Sequence, residues 1–249
     1  MSISVILLAY QEEENLVVLL PKIIDVLESM QTEYEILIVD SPKSTDHTKE
    51  LAEKYHATYM IQDYPGYGGA FRTGVEHAKK SHCLFLDSDG SHNPETIPAI
   101  CEKYREGYDM VIGSRYVKGG VTNDARSSYI MSKILNTTMR IVIGVKAKDI
   151  STSYRLYETE QLKQVQLERE NYDVLQEVIL KQKVNKRMQG ETFKIGEVPI
   201  VFNKRMYGDS KRQLFKFIRG YIVSVFLLIR LNFSSWMKYK KNKKTNRTK

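Results

Sequence analysis

Leu84-Phe85-Leu86-Asp87-Ser88-Asp89-Gly90 is the stretch that decides the fold. An apolar run of strand length, beginning at Cys83, stops at an acid. A second acid follows one residue later, and then a glycine. The same grammar recurs along the first half of the chain. Residues 3–9 are apolar and lead into Tyr10 and Glu12; Ile36 to Val39 lead into Asp40; a run over 109–112 leads into Ser114 and Arg115. Between these runs lie segments of helical spacing. Leu16, Leu19, Leu20, Ile23, Ile24 and Leu27 fall on one face of a helix over 12–30. Ser44-Thr45-Asp46 opens a helix to about Tyr55, Gly66 one to about Lys80, and Pro94 one to about Arg105. Residues 58–62 supply a further strand. Strands alternating with helices predict an α/β chain with a mostly parallel central sheet and helices on both faces. Such sheets bind ligands at the carboxyl ends of their strands, where the polar residues just named collect.

The second half is less regular. It predicts a helix over 124–143, a short strand over 153–157, a helix over 172–186 and one strand over 193–202. Residues 212–237 alternate apolar and basic residues and read as one or two C-terminal amphipathic helices. The expected organisation is a catalytic domain over 1–211, an amphipathic segment over 212–237 and a basic, disordered tail over 238–249.

Of the formal net charge of +8 over 249 residues, seven charges lie in 238–249, at Lys238, Lys240, Lys241, Lys243, Lys244, Arg247 and Lys249. The body is therefore nearly neutral, which argues against a nucleic-acid-binding face. Two cysteines, Cys83 and Cys101, form no disulfide framework and read as reduced thiols of a cytosolic protein. The amino terminus has no basic region and no cleavage site of a signal peptide. No run approaches the roughly 20 apolar residues of a membrane span.

Asp87 and Asp89 converge once the chain turns after its strand. Two close carboxylates are costly unless a cation sits between them. Oxygen ligands suit Mg²⁺ or Mn²⁺, which can bridge a diphosphate and stabilise a departing nucleoside diphosphate. Gly66-Tyr67-Gly68-Gly69-Ala70 opens a helix, a place where backbone N–H groups can meet a phosphate. Its pattern matches neither a dinucleotide fingerprint nor a Walker loop.

Several segments, in order, resemble inverting family 2 glycosyltransferases: Ser4 to Ile6 with Tyr10 to Leu16; Ile38 to Asp40 with Ser44 to Thr48; Gly66 to Gly74; and Phe85 to Glu95. Val111 to Tyr116, Asp149 to Arg155, Glu197 to Ile200, and Arg205 with Gly208 to Lys211 resemble the dolichol-phosphate mannose synthase and polyprenyl-phosphate sugar synthase branch. The resemblance implies a nucleotide-diphospho-sugar transferase (GT-A type) fold. It implies donor contacts at Tyr10, Glu12, Asp40, Gly68, Arg72, Asp87, Ser88 and Asp89, with the metal on Asp87 and Asp89. Arg115, Arg126, Arg205 and Lys211 are implied for the phosphates of donor or acceptor. Asp89, Asp149 and Arg115 are the implied catalytic residues, Asp149 as a base where the acceptor is a hydroxyl. Two departures stand out. Asp40 is followed by Ser41-Pro42-Lys43, and Ser91 stands where related sequences often carry Gln as a further metal ligand.

The expected reaction is therefore metal-dependent transfer of a hexose from a GDP- or UDP-linked donor to a polyprenyl phosphate, with inversion. Alternatives are transfer to a hydroxyl of a saccharide or lipid-linked glycan in envelope polysaccharide assembly, and, without catalysis, binding of a nucleotide sugar. An ionised phosphate needs positioning and charge compensation; a hydroxyl needs a base. Leu214 to Ile229, interrupted by Lys216 and Arg219 and followed by the basic tail, suits an anionic membrane surface, which implies peripheral attachment at the cytoplasmic face. The same helices could instead pack on the catalytic domain or on a second copy in a homodimer.

Overall fold

β1 (Ser2–Ala9) alternates its side chains between two cores, Ile3, Val5, Leu7 and Ala9 to one and Ile6 to the other. Parallel partners flank it: β2 (Glu33–Asp40) on one side and β4 (His82–Asp87) on the other. The computed structural model describes residues 1–123, 126–207 and 214–245, apart from the side chains of 126–128, 214–222, 238 and 241–245. Among these, β3 (Thr58–Ile61) extends the sheet beyond β2, and β5 (Met110–Ser114), β7 (Arg155–Glu158) and β8 (Ile195–Pro199) extend it beyond β4. The order is β3-β2-β1-β4-β7-β5-β8. A small parallel pair, β6 (Val121–Thr122) with β9 (Val201–Phe202), lies outside it.

α1 (Glu13–Ser29), α2 (Thr48–Lys54) and α4 (Ile97–Arg105) cover one face with Leu16, Leu20, Leu51 and Ile100. α3 (Gly66–His77), α5 (Arg126–Ile143), α6 (Thr159–Lys163), α7 (Val174–Met188) and α8 (Leu214–Thr245) cover the other. There Phe71 of α3 stacks on Phe85 of β4 at 4.1 Å, with Tyr157 of β7 edge-on to both.

The chain leaves β1 toward β2 and β3 and then returns to place β4 on the opposite side. The strand order thus reverses between β1 and β4, where open α/β sheets form a ligand crevice. Leu8 lies opposite Asp87 in the register, so Tyr10 to Glu12 and Asp87 to Asp89 leave the sheet side by side.

The short strand expected over 153–157 is β7, which runs antiparallel between β4 and β5 in an otherwise parallel sheet. Two expectations need correction. The strand expected over 193–202 breaks in two: β8 pairs with β5, and after Ile200 β9 turns away to β6. From Leu214 the amphipathic segment is one helix that continues to Thr245, through most of the basic segment expected to be disordered. Lysine has good helix propensity, and lengthening an existing helix needs no new nucleus. Residues 246–249 lie outside the described ones. Among the described residues no helix is long and apolar enough to cross a membrane.

Candidate active site

Asp87 ends β4, and its Oδ1 accepts a hydrogen bond from Ser153 Oγ at 2.5 Å. Asp89 lies in the turn beyond, where its Oδ1 accepts from the backbone N–H of Ser91 at 3.0 Å. Gly90 makes the turn with φ +76°, open to glycine at little cost, and a Cβ there would stand 2.1 Å from Cε of Met206. The segment 203–207 therefore lies directly over this turn. The N–H of Asn203 donates to the Ser91 carbonyl at 2.9 Å, and that of Met206 to the Asp89 carbonyl at 3.1 Å. On its other side the N–H of Tyr207 donates to Asn15 Oδ1 at 3.0 Å.

Arg205, on this strap, bridges two acids. Its Nη2 lies 3.0 Å from Glu12 Oε1 and its Nε 3.4 Å from Asp89 Oδ2. Glu12 is 6% exposed, and burial pushes its carboxyl above the usual range despite the Arg205 charge and a bond from Asn15.

His92 is buried beneath the turn. Its Nδ1 accepts the N–H of Asp87 at 3.0 Å, and a backbone N–H can only donate. The ring hydrogen therefore sits on Nε2, which faces Thr152 Oγ1 at 3.2 Å. Burial lowers the His92 pKa more than Asp87 raises it, so the 3.8 Å approach to Asp87 Oδ2 is that of a neutral ring and no ion pair. His92 thus ties the aspartate turn to the segment 149–153.

That segment is itself heavily braced. Arg155, fully buried, donates from Nε to the Thr152 carbonyl, from Nη1 to the Leu175 carbonyl and from Nη2 to the Ile150 carbonyl, at 2.7, 2.7 and 2.8 Å. Asn136 of α5 accepts from the N–H of Ile150 and donates to Ser151 Oγ. Glu197 of β8 accepts the N–H groups of Lys148 and Asp149. Within it Asp149, with no exposure, accepts from Arg115 Nε at 2.7 Å, Arg115 Nη2 at 2.9 Å and the Arg115 N–H at 3.0 Å. Burial opposes the charge, but these bonds outweigh it and hold the Asp149 carboxyl below the usual carboxylate range.

The expected site residues thus separate. Asp87, Asp89, Glu12 and Arg205 come together at the crevice, and Tyr10 is exposed at its edge, 39% accessible. Arg115 and Asp149 pair with each other: the Asp149 carboxylate accepts three Arg115 donors, and the Arg115 side chain is 9% exposed. Asp40 is turned inward, accepting from the N–H of Ser41 and from Tyr59 Oη. Ser88 Oγ donates to the Leu8 carbonyl at 2.9 Å, bracing β4 on β1. Gly68 donates its N–H to the Glu170 carbonyl, and a Cβ there would stand 2.0 Å from the Arg169 carbonyl. Its glycine therefore admits a neighbouring backbone. Arg72 donates to the Leu167 carbonyl and stacks on Tyr64. The side chain of Arg126, and Lys211 altogether, lie outside the described residues.

Sequence reasoning passed over Ser153, Thr152 and His92. All three lie inside quoted segments, but their contacts cross from β4 to the chain before β7, and no local spacing encodes that.

Asp87 and Asp89 fit a hard divalent cation. Both are ionisable oxygen donors, 34% and 20% exposed in their side chains and so open to solvent. Among the described residues no third His, Cys, Asp or Glu joins them in a ligating group. A cation here would complete its shell with donor oxygens and water. Ser91 Oγ, two residues beyond Asp89, is 1% exposed and has no hydrogen-bond partner among the described residues.

Residues 4–166 match the family model described as glycosyl transferase family 2. The chain is 32% identical over 231 residues to dolichol-phosphate mannosyltransferase of Pyrococcus furiosus, covering 88% of this chain but only 62% of that protein. It is also 32% identical over 222 residues to polyprenol monophosphomannose synthase of Mycolicibacterium smegmatis, covering 83% and 79%. Among solved structures, mannosyl-3-phosphoglycerate synthase from Rubrobacter xylanophilus superposes with a TM-score of 0.73 at 16% identity, over 94% of this chain and 75% of that one. Glucosyl-3-phosphoglycerate synthase from Mycobacterium tuberculosis, in complex with Mn²⁺, uridine-diphosphate and phosphoglyceric acid, gives 0.62 at 18% identity, over 96% and 78%. The fold is thus of the GT-A type that the family resemblance implies. With its paired aspartates at the switch point between β1 and β4, the chain belongs to glycosyl transferase family 2.

Proposed function

We propose that this chain transfers a hexose from a GDP- or UDP-linked donor to a polyprenyl phosphate at a membrane surface. The observation that carries the choice of acceptor is the Asp149–Arg115 pair. Asp149, the expected base for a hydroxyl acceptor, is committed to Arg115 and held ionised. A phosphate acceptor is largely ionised at neutral pH, its second pKa being about 6, and needs no base. It needs a cation, and Arg205 stands beside Asp89. The two relatives named for polyprenyl-phosphate or dolichol-phosphate mannose transfer support the same choice.

In this reading Asp87 and Asp89 hold Mg²⁺ or Mn²⁺, which neutralises the diphosphate as it departs. Ser153 and His92 fix Asp87, and Arg115 and Asp149 fix the segment that carries Ser153. Incubation with a panel of nucleotide sugars and Mn²⁺, with and without polyprenyl phosphate, tests the function. We expect lipid-dependent transfer from one donor; transfer to a saccharide without lipid would overturn the acceptor.

Peripheral membrane contact belongs to the same proposal. α8 presents two faces. Ser224 and Leu228 point inward, Ser224 onto Asp173, while Asn232 donates to the Val142 carbonyl of α5 at 2.9 Å. Phe226, Ile229, Phe233 and Met237 recur at helical spacing and are 46–69% exposed. Ile134 and Ile141 of α5, 57% and 77% exposed, add apolar surface on the helix that α8 packs against. An apolar face of this extent with lysines beyond it suits an anionic bilayer. Because the inner face of α8 joins the core, removing the helix would damage the fold; its outer face can be changed alone. Phe226→Ser with Phe233→Ser is expected to weaken binding to anionic liposomes at least about tenfold, since burial of one phenylalanine is worth ~1.5–3 kcal/mol. The melting temperature should hold. Undiminished liposome binding would refute the contact.

A further inference from the structure

Arg205 stands where a metal-binding site should least tolerate a cation. Its Nε lies 3.4 Å from Asp89 Oδ2, and its Nη1 and Nη2 lie 3.4 and 3.0 Å from the two oxygens of Glu12. The arrangement is built rather than incidental. Glu12 is almost fully buried and receives a second donor, Asn15 Nδ2, at 2.6 Å. Asn15 is 2% exposed and also holds both main-chain groups of Tyr207, its Oδ1 accepting at 3.0 Å and its Nδ2 donating at 3.3 Å. The first turn of α1 is thus a receptor for the strap, and the strap's backbone bonds to Asp89 and Ser91 deliver the guanidinium to the site.

We propose that Arg205 is the resident counter-cation of the donor-free site, exchanged for the divalent cation when donor binds. The proposal rests on the reading of Asp87 and Asp89 as the metal carboxylates. A hard cation bonds a carboxylate oxygen at about 2.0–2.6 Å. On Asp89 Oδ2 it would stand within a few ångströms of the guanidinium, and like charges that close repel. Arg205 must then leave Asp89. Glu12, a desolvated acid, keeps a hold on it, so the side chain swings on an anchored strap. The strap's bonds to the aspartate turn go to carbonyls and need not break. Glu12 is on this account a positioning residue for Arg205 and not a ligand of base or ribose. The site binds metal poorly until a donor diphosphate arrives with charge for both cations, so metal and donor bind with positive coupling.

Titration of the full chain with Mn²⁺ alone, reading free Mn²⁺ by electron paramagnetic resonance, tests this without turnover. Arg205→Gln should bind Mn²⁺ about tenfold more tightly than the natural chain, because the competing charge beside Asp89 is gone. Lys204→Gln removes the neighbouring, exposed charge of the same strap and should change affinity less than about twofold. Unchanged or weaker binding by Arg205→Gln overturns the proposal, as does an equal gain in Lys204→Gln, which would make the effect one of overall charge. Asp89→Asn separates the two readings. If it binds Mn²⁺ as well as the natural chain, the metal site itself is misplaced; if it loses binding while Arg205→Gln is unaltered, only the counter-cation fails. Thermal melting of each variant confirms that it is folded.

Discussion

Asp89→Asn is expected to lower kcat by about 10³-fold, or ~4 kcal/mol of transition-state stabilisation at 1.36 kcal/mol per tenfold, with the fold intact. Asparagine keeps the shape of the side chain and, through its Oδ1, the bond from the Ser91 N–H that shapes the turn. It loses the charge. Asp89 leans on Arg205 at 3.4 Å in a pair roughly one-fifth exposed on each side, so the loss of that pair costs at most about 1 kcal/mol. Relief of repulsion between Asp89 and Glu12 works the other way. The melting temperature should therefore stay within a few degrees while turnover collapses. Steady-state kinetics across a Mn²⁺ titration provide the check. A variant that recovers full kcat at high Mn²⁺ would reduce Asp89 to a charge that attracts the metal; unchanged kcat throughout would remove it from the reaction.

Asp89 was legible because its signal is local: an apolar strand, an acid, a spacer and an acid. The same holds for the sheet as far as β5, whose strands and covering helices each show their own period. Legibility ends where pairing depends on distant chain. Nothing in Arg155 to Glu158 announces an antiparallel strand between β4 and β5, and Arg155 contradicts burial by composition. It is buried because three backbone carbonyls, of Ile150, Thr152 and Leu175, take its donors. Gly68 shows the converse. A glycine-rich helix start suggests a phosphate cradle, while Gly66 and Gly68 admit the backbone of residues 170 and 169, about a hundred positions away. Glu12 and Arg205, 193 residues apart, form a pair that no spacing could join.

Asp149→Asn is expected to cost about 3 kcal/mol of stability, the lower end for breaking a buried ion pair by neutralising one partner. Asn would point an N–H₂ at one of the Arg115 donors that now meet a carboxylate oxygen, leaving a nearly buried guanidinium short of an acceptor. In a chain of this size the loss corresponds to roughly 6–12 °C in melting temperature. The pH dependence has a definite sign. Bonds to Arg115 outweigh burial and hold the folded carboxyl below its unfolded value, near 3.9, so the unfolded chain binds the proton first on acidification. The stabilisation is complete above about pH 5 and is lost only as pH falls through the folded pKa. The gap between the natural chain and the variant should stay constant from pH 7 to pH 5 and close below about pH 4, as urea unfolding at each pH would register. A gap that closes between pH 7 and pH 5 would contradict the lowered pKa. The double variant Arg115→Leu with Asp149→Leu separates positioning from base chemistry. Replacing a buried pair by apolar residues is often neutral, so stability should largely return. If Asp149 only holds Arg115 and its segment, activity returns in part with the fold; if Asp149 removes a proton from the acceptor, the refolded double variant stays as inactive as the single one.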